Sequence, residues 1–177
     1  MKPKELEKPD VIVAFGFSKR GNANRSIAWA ASFAAARFGV PVFTQDDVFH
    51  AMDLMVKSIL AKENGYLSVL GICEQLKELA IQKGWRVVLV KAPPMLRWRC
   101  KRDLKKLGFE IFKSSLRAMM ETKPKGGWYN PDDPQLWVRG PWIWWAQELP
   151  LRMLPWPAYK WMVKKLGAAR QASTRKA

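Results

Sequence analysis

Three segments of the chain place polar and basic side chains directly after apolar, strand-like sequence. The first, residues 16–25, combines two glycines with three cationic side chains ahead of an Ala-rich stretch. Backbone N–H groups at a helix N-terminus, together with nearby cations, suit an anion or a phosphate group. The glycine spacing matches neither a Walker A loop nor a GxGxxG motif, so it specifies no nucleotide. A plain strand-to-helix turn is the alternative interpretation.

The second segment, residues 44–47, reads Thr-Gln-Asp-Asp and follows another apolar run. A carboxylate at this place could bind sugar hydroxyls or a cation. It could equally cap the next helix, because Asp is a preferred N-cap residue. We expect Asp46 or Asp47 to be such a cap.

The third segment, residues 91–99, follows the most strand-like run of the sequence and contains two arginines near a predicted helix start. Arginine can hold an anion through paired hydrogen bonds. Residues two apart on a helix do not share a face. We therefore expect Arg97 to face the site, and Arg99, Arg102 and Lys106 to form a surface stripe.

These segments, with one serine from a later helix start, define the predicted ligand-binding set. Its members are Gly16, Ser18, Lys19, Gly21, Asn22, Asn24, Arg25, Gln45, Asp46, Ser68, Lys91 and Arg97. No catalytic residue and no cofactor is predicted, because no acid–base pair or nucleophile motif has diagnostic spacing.

The residues most often used as metal ligands are scarce. The chain has one histidine, His50, and two cysteines, Cys73 and Cys100. This excludes a His-rich metal centre, and the three cannot complete a structural zinc tetrad. We expect His50 to be an ordinary surface or packing residue. Two cysteines are no disulfide framework, so we expect free thiols in a reducing compartment, with Cys100 buried on a helix.

The elements that must position these segments alternate between strand and helix. Short β-branched apolar runs predict strands. Apolar residues at helical spacing, with caps and glycine stops, predict helices. The predicted strands are 11–16, 40–44, 85–92 and 109–112; the predicted helices are 24–38, from 46 or 47 to about 62, 68–83 and 95–107. Alternation with crossover-length connections specifies an α/β fold with a mainly parallel sheet and helices on both faces.

The C-terminal third has a different organisation. Seven glycine or proline breakers in residues 121–141 predict a long loop. Short helices are predicted at 142–149 and 158–166, separated by Pro150, Pro155 and Pro157. Residues 167–177 predict a basic, disordered tail. We expect one domain, residues 9–166, with the C-terminal helices packed on it.

Tryptophan and positive charge concentrate in this part of the chain. The net charge is +16, and residues 97–177 hold 18 Lys and Arg against 6 Asp and Glu. Seven of the ten tryptophans lie between Trp128 and Trp161. Three interpretations are open: a subdomain that uses Trp as core filler, a membrane interface, or a surface for nucleic acid or a protein partner.

At the three polar segments the chain resembles the YdcF-like family, a bacterial domain of unknown function that includes the SanA and ElyC proteins. The matching stretches are DVIVAFGFSKRGNANRS, FGVPVF, YLSVLGICEQLKELAIQKGWRVVLVKAPPMLRWRC, LGFEIF and a late Trp-containing helix, within roughly residues 9–165. The family pattern corresponds to Gly16, Arg25 and Ser68. Ala92 and Met95 stand where the family has Ser and His, so an activity that needs this histidine is not implied.

The resemblance implies a Rossmann-like three-layer sandwich, a small-molecule site and an association with the cell envelope. Together with the loop chemistry, it predicts binding of a phosphorylated or nucleotide-like small molecule at the C-terminal edge of the sheet. A peripheral membrane-interaction protein using the Trp-rich third is the first alternative, and a nucleic-acid-binding protein is the second.

No run of about 20 apolar residues and no signal-peptide pattern is present. We therefore expect a cytoplasmic protein, with the membrane alternative placing it on the inner membrane face.

Overall fold

Apolar, β-branched runs form the centre of the molecule. The computed structural model describes residues 8–19, 22–53, 55–62, 68–113 and 124–174. Its five strands are β1 (Val11–Ala14), β2 (Val42–Thr44), β3 (Ser58–Leu60), β4 (Val87–Lys91) and β5 (Glu110–Ile111). They form one sheet in the order β3-β2-β1-β4-β5, with every pairing parallel. All four residues of β1 are fully buried, as expected for the middle strand of a sheet covered on both faces.

The carboxyl ends of the three central strands lie level with one another. Ala14 of β1 is opposite Thr44 of β2 on one side and Lys91 of β4 on the other. The chain builds β1, β2 and β3 outward in one direction and then returns to the other side of β1 for β4. The strand order therefore reverses between β1 and β4, which is where open α/β sheets bind their ligands.

Helices cover both faces of the sheet. They are α1 (Ala23–Phe38), α2 (Asp46–Phe49), α3 (Val69–Lys83), α4 (Pro94–Lys106), α5 (Pro141–Met153) and α6 (Trp156–Thr174). Right-handed crossovers put α1 on one face and α3 and α4, which pack against each other, on the opposite face. The structure is thus a Rossmann-like α/β sandwich, which confirms the predicted fold class.

Local signals in the sequence set several of the helix ends. Gly39 and Gly84 cap α1 and α3 with φ of 65° and 71°, values that favour glycine. The Ser68 hydroxyl accepts a hydrogen bond from the Gly71 N–H at 3.1 Å, so it caps α3 as predicted. The predicted helix bounds for α1, α3 and α4 agree with the structure to within one residue.

The helix predicted from residue 46 or 47 to about 62 is wrong. In the structure α2 is a single turn, and β3 extends the sheet beyond β2. Neither Asp46 nor Asp47 is the cap, since the N-cap position is Gln45 and both aspartates lie in the first turn. A three-residue strand is too short to show an alternating pattern. The backbone groups of β3 form hydrogen bonds with the N–H and C=O groups at the edge of β2, which would otherwise be unpaired. This need arises only in the assembled sheet, so the local sequence does not show it.

The C-terminal helices are longer than the prolines suggested. A 3₁₀ turn (Leu136–Val138) interrupts the predicted loop, and α5 continues through Pro150 to Met153. Helix α6 runs to Thr174, so the disorder predicted from residue 167 is wrong up to that point; residues 175–177 lie outside the described part. Pro141 and Pro157 lie in the first turns of α5 and α6, where a missing N–H costs little.

Two apolar contacts join this C-terminal part to the sheet layers. Val138 and Trp144 are buried in the main core. Leu151 and Tyr159 form a second buried cluster with Leu70 of α3. Part of the Trp-rich segment therefore packs as core, as one of the three interpretations proposed.

Candidate functional site

A small polar cavity lies at the carboxyl edge of the sheet. It encloses about 70 Å³ between the residues after β1, the start of α2, the sides of α3 and α4, and a roof formed by residues 135–148. Its polar lining side chains are Ser18, Gln45, Asp47, Arg99, Gln135, Gln147 and Glu148. Three of these seven are side-chain amides, which can both donate and accept hydrogen bonds. The cavity therefore offers polar recognition groups at the edge where the fold places ligand sites.

One wall of the cavity depends on the absence of a side chain at Gly16. A Cβ atom on Gly16 would lie 2.5 Å from Nε2 of Gln45 and 3.3 Å from Cγ2 of Val48. Glycine at this position therefore lets the Gln45 amide approach the backbone after β1. The requirement is steric, because Gly16 does not have a positive φ.

The segment after β1 is held by hydrogen bonds with α1 and with Asp133, which lies just before the roof. The Asn24 side chain accepts a hydrogen bond from the Phe17 N–H at 2.9 Å and donates one to the Ser18 carbonyl. The Ser18 hydroxyl donates to the Asp133 carboxylate at 2.7 Å, and both side chains are buried. These contacts hold the loop beneath the roof in one conformation.

A buried ion pair closes the opposite side of the cavity. Arg99 of α4 lies 2.5 Å from the Glu148 carboxylate of α5, with side-chain exposures of 14% and 2%. Arg152 reaches the second carboxylate oxygen at 3.3 Å and donates to the Met95 carbonyl at 2.7 Å. Burial raises the pKa of Glu148, and Arg99 and Arg152 oppose that rise. The Glu148 carboxylate therefore interacts with two arginines and compensates one of their two positive charges.

A second buried polar cluster lies further along α4. The Tyr159 hydroxyl of α6 donates to the Asp103 carboxylate at 2.5 Å, and the Arg102 guanidinium lies 4.0 Å from the Tyr159 ring centroid. Burial raises the pKa of Asp103, which its hydrogen bond from Tyr159 opposes. Burial also raises the pKa of Tyr159, as does Asp103. This cluster anchors α6 and does not line the cavity.

Three of the predicted ligand-binding residues line the cavity: Gly16, Ser18 and Gln45. Lys19 and Arg25 are exposed, Asn22 is exposed and donates to the Lys125 carbonyl at 3.3 Å, and Gly21 lies outside the described residues. Asn24 has the bracing contacts given above.

The remaining predicted residues have structural partners. Asp46 lies 3.1 Å from Nε2 of His50, which is exposed. Ser68 caps α3, and Lys91 is buried at the end of β4. Arg97 donates a hydrogen bond to the Ala92 carbonyl at 3.2 Å.

The predicted orientation of the α4 arginines is wrong. Arg99, not Arg97, lines the cavity, and Arg102 is mostly buried, while Lys106 is exposed as expected. The reason is that α5 and α6 cover the side of α4 that would face solvent if α4 were an outermost helix. The spacing of the arginines alone did not contain that information.

Besides Arg99, four polar lining residues lie outside the predicted set although their types suit binding: Asp47, Gln135, Gln147 and Glu148. One signal in the sequence could have identified Glu148, since it is the only acidic residue between positions 134 and 177. A lone acid among eight basic residues is a candidate for a buried ion pair.

A larger groove of about 890 Å³ lies at the other edge of the sheet. It runs between α1 and residues 51–53 and 55–57, with Trp29, Phe33 and Met52 among its mainly apolar walls. Pro41 and Lys57, which also line it, immediately precede β2 and β3, so the groove is at the amino edge. We place the candidate site at the smaller cavity because the polar groups and the strand ends converge there.

Within the described ranges, no cluster of three or more His, Cys, Asp or Glu could hold a metal ion. Cys73 and Cys100 are free thiols, as predicted, and both are fully buried, as predicted for Cys100; burial raises the pKa of each thiol. Among the helices described, none is long and apolar enough to cross a bilayer.

The sheet order and the cavity define a Rossmann-like α/β protein with a polar cavity at its carboxyl edge. Comparison with protein-family models, with curated proteins and with solved structures finds no match.

Proposed function

We propose that the protein binds a small polar molecule with an anionic group at the carboxyl edge of the sheet. The observation that supports this most is the amide-rich cavity between the loop after β1, α2 and α4. Parallel sheets place ligands at this edge because loops and helix N-termini converge there. The proposed ligand is phosphorylated or nucleotide-like.

The size of the cavity limits what can enter it. Its volume is only about 70 Å³. Sites that enclose a whole drug-sized ligand have about 300–1,000 Å³. One polar group of the ligand would therefore occupy the cavity, and the remainder would lie outside it against residues 16–19.

The charged side chains in and around the cavity support the same orientation of the ligand. Inside the cavity Arg99 is paired with Glu148, and Asp47, which is exposed, adds a carboxylate to the lining. Burial raises the pKa of Asp47, and the positive charge of Lys19 opposes this. Among the described residues of segment 16–25, Lys19 and Arg25 are exposed cations outside the cavity. The anionic group would lie toward them, and the neutral polar group would meet the amides.

Membership of the YdcF-like family and a role in cell-envelope metabolism belong to this proposal. They rest on the sequence resemblance. The proposal assigns binding only, because Met95 occupies the place of the family histidine and no described group is arranged as a nucleophile with its base.

A thermal-shift experiment on the full chain tests the proposal. The probes are inorganic phosphate, ribose 5-phosphate and AMP. A probe at 100 times its dissociation constant should stabilise the fold by about 2.7 kcal/mol, roughly 5–10 °C for a chain of this size. We expect Gln45→Ala and Gln147→Ala to remove the shift.

The matched control is Gln82→Ala, which changes an exposed glutamine on α3. It should keep the full shift. A shift that survives both cavity substitutions would place the ligand elsewhere. The absence of a shift with all three probes would contradict a phosphorylated ligand.

A further inference from the structure

Helix α5 exposes an apolar face to solvent. Its outward residues are Trp142, Ile143, Ala146, Leu149, Pro150 and Met153. Positions 142, 146, 149, 150 and 153 recur at helical spacing and share one side of the helix. Trp142 and Met153, at the two ends of this face, are 85% and 83% exposed. We call these six residues the outer α5 face.

The opposite side of α5 carries the polar groups. Gln147, Glu148 and Arg152 all face the domain, where Glu148 and Arg152 form the buried ion-pair network with Arg99. A helix on a water-exposed surface normally has the reverse arrangement, with apolar residues inside and charges outside. The outer α5 face therefore has the composition of a surface that is covered by something apolar.

Positive charge is concentrated in the same part of the chain. Residues 134–177 contain eight Lys and Arg and a single acidic residue, Glu148, which is buried and paired. Arg152 faces the domain, and Lys160 and Lys164 lie 3.5 and 3.4 Å from Glu74 of α3. On α6, exposed Trp161 has the Lys165 ammonium 4.8 Å from its ring centroid. Exposed Trp beside Lys and Arg is typical of helices that lie in the interface of an anionic bilayer.

We propose that the outer α5 face binds an anionic phospholipid surface, with α5 lying along the membrane plane. A 13-residue helix is only about 20 Å long, which suits lying in the interface and not crossing it. A second copy of the chain is a poorer occupant, because it would bring two strongly positive segments together. Anionic headgroups complement the net positive charge of this segment, including exposed Lys165, while Trp142, Leu149 and Met153 can enter the acyl boundary.

Vesicle flotation with the full chain tests this proposal. The probes are phosphatidylcholine vesicles with and without phosphatidylglycerol. We expect the protein to float with the anionic vesicles and not with the neutral ones, and added salt to weaken the binding. The double variant Trp142→Ser/Met153→Ser should lower the partition coefficient about tenfold or more, because it removes two large apolar side chains.

The matched control is Met55→Ser/Ile81→Ser, which removes two side chains that are 92% and 75% exposed and lie outside α5. It should bind the vesicles as the natural chain does. Thermal melts establish that both variants are folded. Neither variant changes a residue of the polar cavity. A negative flotation result would therefore not bear on the small-molecule site, which the thermal-shift experiment tests.

Three results would overturn the proposal. The first is no flotation with anionic vesicles at low ionic strength. The second is flotation that Trp142→Ser/Met153→Ser leaves unchanged or that the control lowers equally. The third is evidence that another partner covers the outer α5 face. This would be a dimer in light scattering, or a complex with a single-stranded oligonucleotide, that Trp142→Ser/Met153→Ser disrupts and the control variant does not.

Discussion

Arg99 on α4 and Glu148 on α5 form a 2.5 Å ion pair that is buried where the C-terminal helices meet the helical layer of the sheet. The pair also forms one wall of the polar cavity. The same contact therefore attaches the C-terminal part and shapes the candidate site. Any change that breaks it is expected to affect both stability and binding.

Breaking this pair from one side should be costly. Arg99→Met leaves the buried Glu148 carboxylate with Arg152 as its charged partner. We expect a loss of about 3 kcal/mol in the free energy of unfolding, measured by urea denaturation. The double variant Arg99→Met/Glu148→Met should lose clearly less than the sum of the single variants, since it removes the buried carboxylate together with the arginine that pairs with it.

The surface pair between Lys164 and Glu74, at 3.4 Å, supplies the comparison. Its lysine side chain is 61% exposed, so Lys164→Met should cost less than about 1 kcal/mol. Equal costs for Arg99→Met and Lys164→Met would contradict the view that the α4–α5 pair is an internal anchor.

Filling the space at Gly16 should impair the cavity more than the fold. In Gly16→Ala the new methyl group displaces the Gln45 amide, which can swing away at a cost of about 1 kcal/mol. The shift produced by a bound probe should be lost. Gly140→Ala is the control, because nothing lies within 4 Å of its new Cβ and its φ of −165° suits any residue. A probe shift that Gly16→Ala leaves unchanged would argue against Gln45 as a ligand contact.

Tyr159 should make the fold sensitive to alkali. Burial raises its pKa above 10 in the folded protein, so the unfolded chain ionises first as the pH rises. The stability that Tyr159 contributes is complete below pH 10 and is lost above it, by about 1.4 kcal/mol per pH unit. Tyr159→Phe should cost about 2 kcal/mol at pH 7 through its lost hydrogen bond.

The difference in stability between the natural chain and Tyr159→Phe should therefore shrink between pH 10 and pH 11. Urea denaturation of both proteins across this range measures it, and other titrating groups cancel in the difference. A difference that is independent of pH would mean that the Tyr159 hydroxyl is not buried against Asp103.

The two thiols should report on opening of the core. Cys73 and Cys100 are fully buried, and burial raises the pKa of both, so thiolate is scarce and shielded in the native state. Reaction with a disulfide reagent should follow the unfolding equilibrium and accelerate with urea. A thiol that reacts in the native protein as fast as free cysteine would contradict the core described here.

The sequence predicts the parts of the fold that depend on local signals. The apolar runs of β1 and β4, the glycines after α1 and α3, and the serine cap of α3 are each recognisable because the cause lies within a few residues. Strand β3 is not recognisable in the sequence, because a three-residue strand is defined by its hydrogen bonds to β2 and not by its own hydropathy pattern.

The cavity could be predicted only in part for a similar reason. Gly16, Ser18 and Gln45 lie at strand ends, so the topology places them at the site. Arg99 and Glu148 become site residues only when α5 packs on α4, a contact between segments about 50 positions apart. The two sides of α5 both carry tryptophan, so hydropathy could not indicate which side faces the core.

The most direct test of the proposed binding site is a native mass spectrum of the full chain purified without dialysis. We expect an added mass of a small molecule on the natural chain and on Gln82→Ala, and its loss from Gln147→Ala. The same adduct at equal occupancy on Gln147→Ala, or the bare mass of the chain in all three spectra, would contradict a ligand held by the polar cavity.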